Sequence, residues 1–205
     1  MNDKKIRLLY GIIYINIMWF STICSDFSFK ILFGLLAIIS TYEMLKIRKN
    51  KSKLIPFLYI IIPYTIILFT SFSKEKNIIL LMFILIWTFD TFAYIFGTKF
   101  GKTKMIPSIS PKKSWEGFIG GFFSSIIISF FASLYFNEIS FNKIMIMSIF
   151  LPFTATAGDF IESYYKRQAE IKDSSNLIPG HGGILDRMDA FMISIPVLYI
   201  YSKII

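Results

Sequence analysis

The chain has one cysteine, Cys24, and one histidine, His181. A single thiol excludes an intramolecular disulfide framework and leaves the redox compartment open. One imidazole and one remote thiol cannot assemble a zinc site. Acidic residues are also scarce, 13 Asp and Glu against 22 Lys and Arg, for a formal net charge of +9. Absent too are an internal repeat, a low-complexity tail and any linker long enough to divide the chain. With no soluble basic domain to carry it, the charge points away from nucleic acid. It points toward anionic lipid headgroups, each surface Lys or Arg being worth about 1 kcal/mol there.

What fills the chain instead is apolar. Hydrophobic residues make up 55% of its 205 positions, 23 of them Phe, more than a soluble core of this size requires. A bilayer of about 30 Å takes roughly 20 helical residues to cross. Seven stretches serve: 6–23, 27–45, 54–72, 77–96, 117–136, 143–161 and 184–202. The expected fold is an all-α polytopic membrane protein of about seven transmembrane helices. It forms one integrated membrane domain, with amino-terminal helices over 1–76 and a second portion over 77–205 that carries the polar motifs described below. The first stretch follows basic residues, as a signal peptide would. Its apolar run is too long for one and Ser21-Thr22-Ile23-Cys24 is a poor cleavage site, so an uncleaved helix is expected.

Basic residues sort by loop. With the amino terminus inside, the inner segments hold Lys4, Lys5 and Arg7, the group from Lys46 to Lys53, the group from Lys99 to Lys113, and Lys166, Arg167, Lys172 and Arg187. The outer side keeps only Lys30, Lys74, Lys76, Lys143 and Lys203. The positive-inside rule therefore predicts a cytoplasmic amino terminus.

The polar residues gather in two places. One is the run 163–190, which sets Lys166, Arg167, Lys172, Asp173, His181, Asp186, Arg187 and Asp189 around a Pro-Gly-His-Gly-Gly turn. If the sixth helix continues past its span, Asp159, Ser163 and Lys166 share a face, as do Asp186 and Asp189 on the seventh. Carboxylates from two helices suit Mg²⁺ or Mn²⁺, which bind hard oxygens and substrate phosphates. Equally, these acids could be interfacial salt bridges to Arg167, Lys172 and Arg187. Asp90, inside the fourth span, should face a polar interior rather than lipid. It reaches either a metal or cation in the same cavity, or partners such as Thr88 and Thr91. The other place is the loop Ser110-Pro111-Lys112-Lys113-Ser114-Trp115-Glu116. Pro111 is expected to fix a turn there, with both lysines presented before a helix start, a geometry suited to a triphosphate. Gly182 and Gly183 would let backbone approach an anion, and Gly117 with Gly121 predicts close helix packing.

These two runs resemble the two hallmarks of the phosphatidate cytidylyltransferases, the enzymes that make CDP-diacylglycerol. One hallmark is Ile-Ser-Pro-Lys-Lys-Ser-Trp-Glu-Gly, here beginning at Ile109. The other is met by Ser163, Lys166, Arg167, Lys172, Asp173, Pro179, His181, Gly182, Gly183, Asp186, Arg187 and Asp189. The resemblance is specific over 90–189 and looser before it, and Tyr165 stands where the family more often has an aliphatic residue or Phe. It implies attack of phosphatidate on the α-phosphorus of CTP, with pyrophosphate leaving. It further implies Asp159 and Asp186 as metal ligands, with Asp90 added as a third candidate and a monovalent cation such as K⁺ as a companion. Lys166, Arg167, Asp173, His181, Arg187 and Asp189 would complete the catalytic set. Ser110, Lys112, Lys113, Glu116, Ser163, Lys172, Gly182 and Gly183 would bind substrate. His181 is expected to touch phosphate or nucleotide; a phosphate monoester, with second pKa about 6, does not need a general base. Membrane lipids and a homodimer are the remaining expected partners, in a cytoplasmic or inner membrane with the site facing the cytoplasm. The rivals are a CTP-dependent polyprenol kinase, an archaeal-type CDP-lipid synthase and an ion-coupled transporter. A transporter would spread its charges through several spans, whereas here they cluster at one face.

Overall fold

The computed structural model describes residues 3–49, 51–70 and 72–204. The side chains of Lys4, Arg7 and Lys74, part of the topology pattern above, lie outside the described residues. Seven helices and one hairpin follow in order: α1 (Asp3–Cys24), α2 (Asp26–Ile47), α3 (Leu54–Phe69), α4 (Phe72–Phe100), β1 (Lys104–Ile106), β2 (Ser110–Ser114), α5 (Trp115–Ala132), α6 (Phe141–Gln168) and α7 (Leu185–Ile204). Every predicted span falls on a helix, so the fold is a polytopic all-α bundle. Among the described residues four stretches are long and apolar enough to cross a membrane: Asp26–Ile47, Glu75–Phe100, Trp115–Ala132 and Phe141–Gln168. Two shorter apolar helices accompany them, Leu8–Cys24 and Leu54–Phe69.

Helix starts follow local chemistry. The Ser25 hydroxyl accepts from the Ser28 N–H at 3.1 Å to cap α2. The Ser114 hydroxyl does the same for α5, accepting from the Gly117 N–H at 3.2 Å. Phe29, Phe33, Phe83 and Phe191 are buried and in ring contact at the centre. Large apolar side chains such as Leu35, Ile38, Phe123, Ile127 and Phe130 are exposed instead, as lipid-facing positions would be. Glycine permits a close crossing: a Cβ on Gly117 or Gly121 of α5 would lie 2.7 Å from the carbonyl oxygen of Ala93 or Phe89 of α4.

Successive helices run in alternating directions, which gathers the starts of α1, α3, α5 and α7 and the ends of α2, α4 and α6 at one end of the bundle. Contacts join them there. The Tyr14 hydroxyl of α1 donates to the Arg187 carbonyl at 3.2 Å, and Tyr59 of α3 donates to the Gly158 carbonyl at 2.8 Å. Arg48 of α2 donates to Gln168 of α6.

One local expectation is corrected. Pro111 does not make a turn; it lies within β2, while the turn runs through 107–109 with the Ile109 N–H bonded to the Ile106 carbonyl at 3.2 Å. A two-stranded ladder has only edge strands, where a residue without an N–H is tolerated.

Candidate active site

The hairpin delivers its lysines in opposite directions, because successive side chains of a strand point to opposite faces. Lys112 is exposed. Lys113 turns inward, its Nζ 2.5 Å from Asp159 Oδ2 of α6. The Ser163 hydroxyl, one helical turn on, donates to Asp159 Oδ1 at 3.1 Å. Arg167 makes the second tie, donating from Nε to the Ile109 carbonyl at 3.1 Å and from Nη1 to the Ile171 carbonyl at 2.8 Å. Glu116, expected beside the nucleotide, instead accepts from the backbone N–H groups of Lys102 and Thr103 at 3.1 and 3.0 Å. It thereby holds the turn leading into β1. Ser110 is half-buried, paired with Ile106 in the ladder.

The continuation of α6 to Gln168 places Lys166 between two helices. Its ammonium is paired with Glu162 one turn back and with Asp186 Oδ1 of α7 at 2.6 Å. The other oxygen of Asp186 accepts from the Ser174 N–H and hydroxyl, both at 2.8 Å, and from the Gly183 N–H at 2.7 Å. Glycine is required beside it: Gly182 has φ +82°, and a Cβ there would lie 2.6 Å from Asp186 Oδ2. Asp186 therefore braces the glycine turn, and Lys166 is enclosed rather than open to a phosphate.

A second acid completes this brace. Glu43 of α2, 2% exposed, accepts from the Ser174 and Ser175 hydroxyls and from the N–H groups of Ile184 and Leu185. Neither Glu43 nor Glu162 was among the predicted site residues. Glu162 had a signal in its four-residue spacing from Lys166, and Glu43 in being the only acid of an apolar span.

Around Lys113 the charges are of both signs. Asp90 and Asp189 lie close enough to Asp159 and Lys113 to feel their charge, and Asp90 also senses Arg187. Asp90 keeps an exposed side chain although it sits on α4 among these groups. Arg187 has its Nε buried and without a hydrogen-bond partner among the described residues, a donor left for an anion. His181 rests against α1: a Cβ on Gly11 would lie 3.5 Å from its Nε2. Lys172 and Asp173 are exposed. A cleft of about 520 Å³ is lined by Lys46, Lys49, Lys51, Asp173, Ser174 and Asn176 among others.

Carboxylate oxygens are suitable donors for Mg²⁺, and the ammonium of Lys113 already occupies a cation position on Asp159. Among the described residues no three acidic, His or Cys side chains converge to hold an ion by themselves. Mg²⁺ does not require that, since it is commonly held by one or two carboxylates together with water and substrate phosphates. The Asp159 corner fits such an ion, with Asp90 and Asp189 near it.

Comparison with known proteins shows the family. The model of the cytidylyltransferase family matches residues 54–205. Over 214 residues the chain is 38% identical to the phosphatidate cytidylyltransferase of Rickettsia typhi, covering 96% of this chain and 92% of that protein. The phosphatidate cytidylyltransferase of Rickettsia bellii is 36% identical over 97% of this chain and 90% of its own length. That of Staphylococcus aureus is 45% identical over 130 residues, 62% of this chain and 50% of the relative. A match that takes in both motifs, with two relatives aligned almost end to end, settles membership: the chain belongs to the cytidylyltransferase family, among the phosphatidate cytidylyltransferases.

Proposed function

We propose that this chain transfers the cytidylyl group of CTP to phosphatidate, giving CDP-diacylglycerol and pyrophosphate, at the cytoplasmic face of a cell membrane. The observation that carries the reading is the joining of the two motifs by the bond from Arg167 to the Ile109 carbonyl, with Lys113 paired to Asp159 one turn before Ser163, so that cations and carboxylates stand together at one end of an apolar bundle. An oxygen of the lipid phosphate attacks the α-phosphorus, the bond from that phosphorus to the oxygen bridging to the β-phosphate breaks, and pyrophosphate departs with the electron pair. Both reactants are anions, so neutralising charge and aligning the attack is the chief task. Lys112 and Lys113 on the hairpin meet the triphosphate, and the buried, unpaired Nε of Arg187 is a donor for a substrate phosphate once the site closes on it. Asp159, with Asp90 beside it, would hold Mg²⁺; Asp186 would add a ligand only by giving up a protein donor. When bound, the metal supplies charge stabilisation on the phosphate oxygens. The remaining acids keep the cations in place. The lipid reaches this end sideways from the bilayer and the nucleotide from the aqueous side.

The test is incorporation of radiolabelled CTP into lipid by purified protein with phosphatidate and Mg²⁺, beside Asp159→Asn. Labelled CDP-lipid from the wild type alone supports the reading. Polyprenyl phosphate labelled from γ-labelled CTP, with no CDP-lipid from phosphatidate, would replace it with a lipid kinase.

A further inference from the structure

Glu43 lies outside the residues that the family model matches, 54–205, yet it grips the loop on which the reading above depends. Its Oε1 accepts from the Ser175 hydroxyl at 2.6 Å and the Ile184 N–H at 3.2 Å. Its Oε2 accepts from the Ser174 hydroxyl at 3.0 Å and the Leu185 N–H at 2.8 Å. Each oxygen thus takes one backbone N–H where α7 begins; Oε1 also takes the Ser175 hydroxyl, and Oε2 shares the single Ser174 proton with Asp186. This is a helix cap supplied from another helix, a carboxylate set against the positive end of the α7 dipole. Burying a carboxylate is costly unless its lone pairs are met, and here both oxygens are met.

The grip extends further. The Ser174 hydroxyl lies between Glu43 Oε2 and Asp186 Oδ2, at 3.0 and 2.8 Å, and Asp186 in turn holds Lys166. A line of contacts therefore runs from α2 through Ser174 to the brace of the glycine turn and on to α6. We infer that Glu43 is a positioning residue for cytidylyl transfer: acting through Ser174 and the first turn of α7, it sets where Asp186, Arg187 and the 180–183 turn stand.

The chemistry of the grip makes the inference sharp. A backbone N–H cannot be turned round, and one faces each oxygen of Glu43. In Glu43→Gln the amide therefore presents its NH₂ to either Ile184 N–H or Leu185 N–H, whichever way it is rotated. An isosteric change that a packing role would tolerate is incompatible with this one.

The inference rests on the proposed reaction, so the experiment keeps the two apart. Wild type, Glu43→Gln and, as control, Glu75→Gln are purified in full-length form. Glu75 pairs only with exposed Lys203 at the opposite end. Amide hydrogen exchange over 183–186 reads the grip; kcat and KM for CTP, corrected for folded protein, read its consequence. In Glu43→Gln we expect faster exchange at Ile184 and Leu185 and a fall in kcat of at least about tenfold, with KM for CTP changed less because the hairpin lysines are untouched. The control should match wild type in both. Unchanged exchange, or full kcat in folded Glu43→Gln, would overturn the inference. Should that variant not fold, Ser174→Ala replaces it. This keeps the Glu43 charge and both backbone bonds but removes the shared hydroxyl, and full kcat there would overturn the inference equally. An inactive wild type would overturn the reaction instead, leaving exchange to decide whether Glu43 holds the loop.

Discussion

Asp159 and Asp186 look alike in the sequence, each an acid near a helix end facing the cations of one motif, yet the folded chain uses them differently. Asp159 is partly open, with side-chain exposure of 27%, and its ion pair is to a hairpin lysine. Asp159→Asn should lower CTP incorporation by at least about a hundredfold while shifting thermal unfolding little, since such a partly solvated pair contributes about 1 kcal/mol or less. Asp186 has a side chain only 5% exposed, bonded to Lys166, Ser174 and Gly183. Asp186→Asn leaves the Lys166 ammonium short of a buried partner, and breaking a buried pair costs about 3–5 kcal/mol. That variant should therefore lose stability as well as activity in detergent melts, and equal melting of the two variants would contradict the distinction. Sequence spacing reports which residues share a helix face, and so Asp159 with Ser163 was legible. It does not report which donors a loop folds back onto an oxygen. For that reason Glu43, more than a hundred positions from its partners, could be noticed as an unusual charge but not assigned.

The helices were legible because their signal is composition, an apolar run of membrane length, which survives even where amphipathic patterning is weak. The hairpin was not. Its strands have three and five residues, and Ser-Pro-Lys-Lys-Ser carries no apolar alternation to betray a strand. Yet the hairpin splits the two lysines between solvent and Asp159, so its absence from the sequence reading led to a misjudged role for Pro111. The α4–α5 crossing, by contrast, was legible through Gly117 and Gly121, and it gives a paired prediction. In Gly121→Val the new side chain meets the Phe89 carbonyl, where a Cβ alone would already lie at 2.7 Å; overpacking of this kind costs about 1–3 kcal/mol. Gly34→Ala on α2 meets nothing within 4 Å and removes a flexible residue from a helix interior, a gain of about 0.5–1 kcal/mol. Thermal unfolding of the two variants should move in opposite directions. A neutral Gly121→Val would mean that the helices are free to separate there.

The orientation of the bundle decides whether the proposed chemistry has access to its nucleotide. The hairpin, the 174–185 loop and the α2–α3 connection share one end, and that end carries most of the basic residues. The positive-inside rule predicts that it faces the cytoplasm, the side from which we propose CTP arrives. The chain contains its own reporter for the opposite end: Cys24, the only thiol, is exposed where α1 stops. A membrane-impermeant maleimide applied to sealed cells or right-side-out vesicles should therefore label Cys24 without permeabilisation. In Cys24→Ser combined with Ser52→Cys, the thiol moves to the exposed α2–α3 connection, outside the catalytic groups, and labelling should appear only after the membrane is opened. The reverse pattern would put the lysines and carboxylates on the side that lacks CTP, and no arrangement of those side chains could then sustain turnover in the cell. Labelling of both positions from outside would indicate mixed insertion, with activity expected only from the fraction whose hairpin faces inward. Measuring that fraction against lipid product in the same vesicles ties the charge distribution of the sequence to the reaction, because turnover from added internal CTP should scale with protected Ser52→Cys.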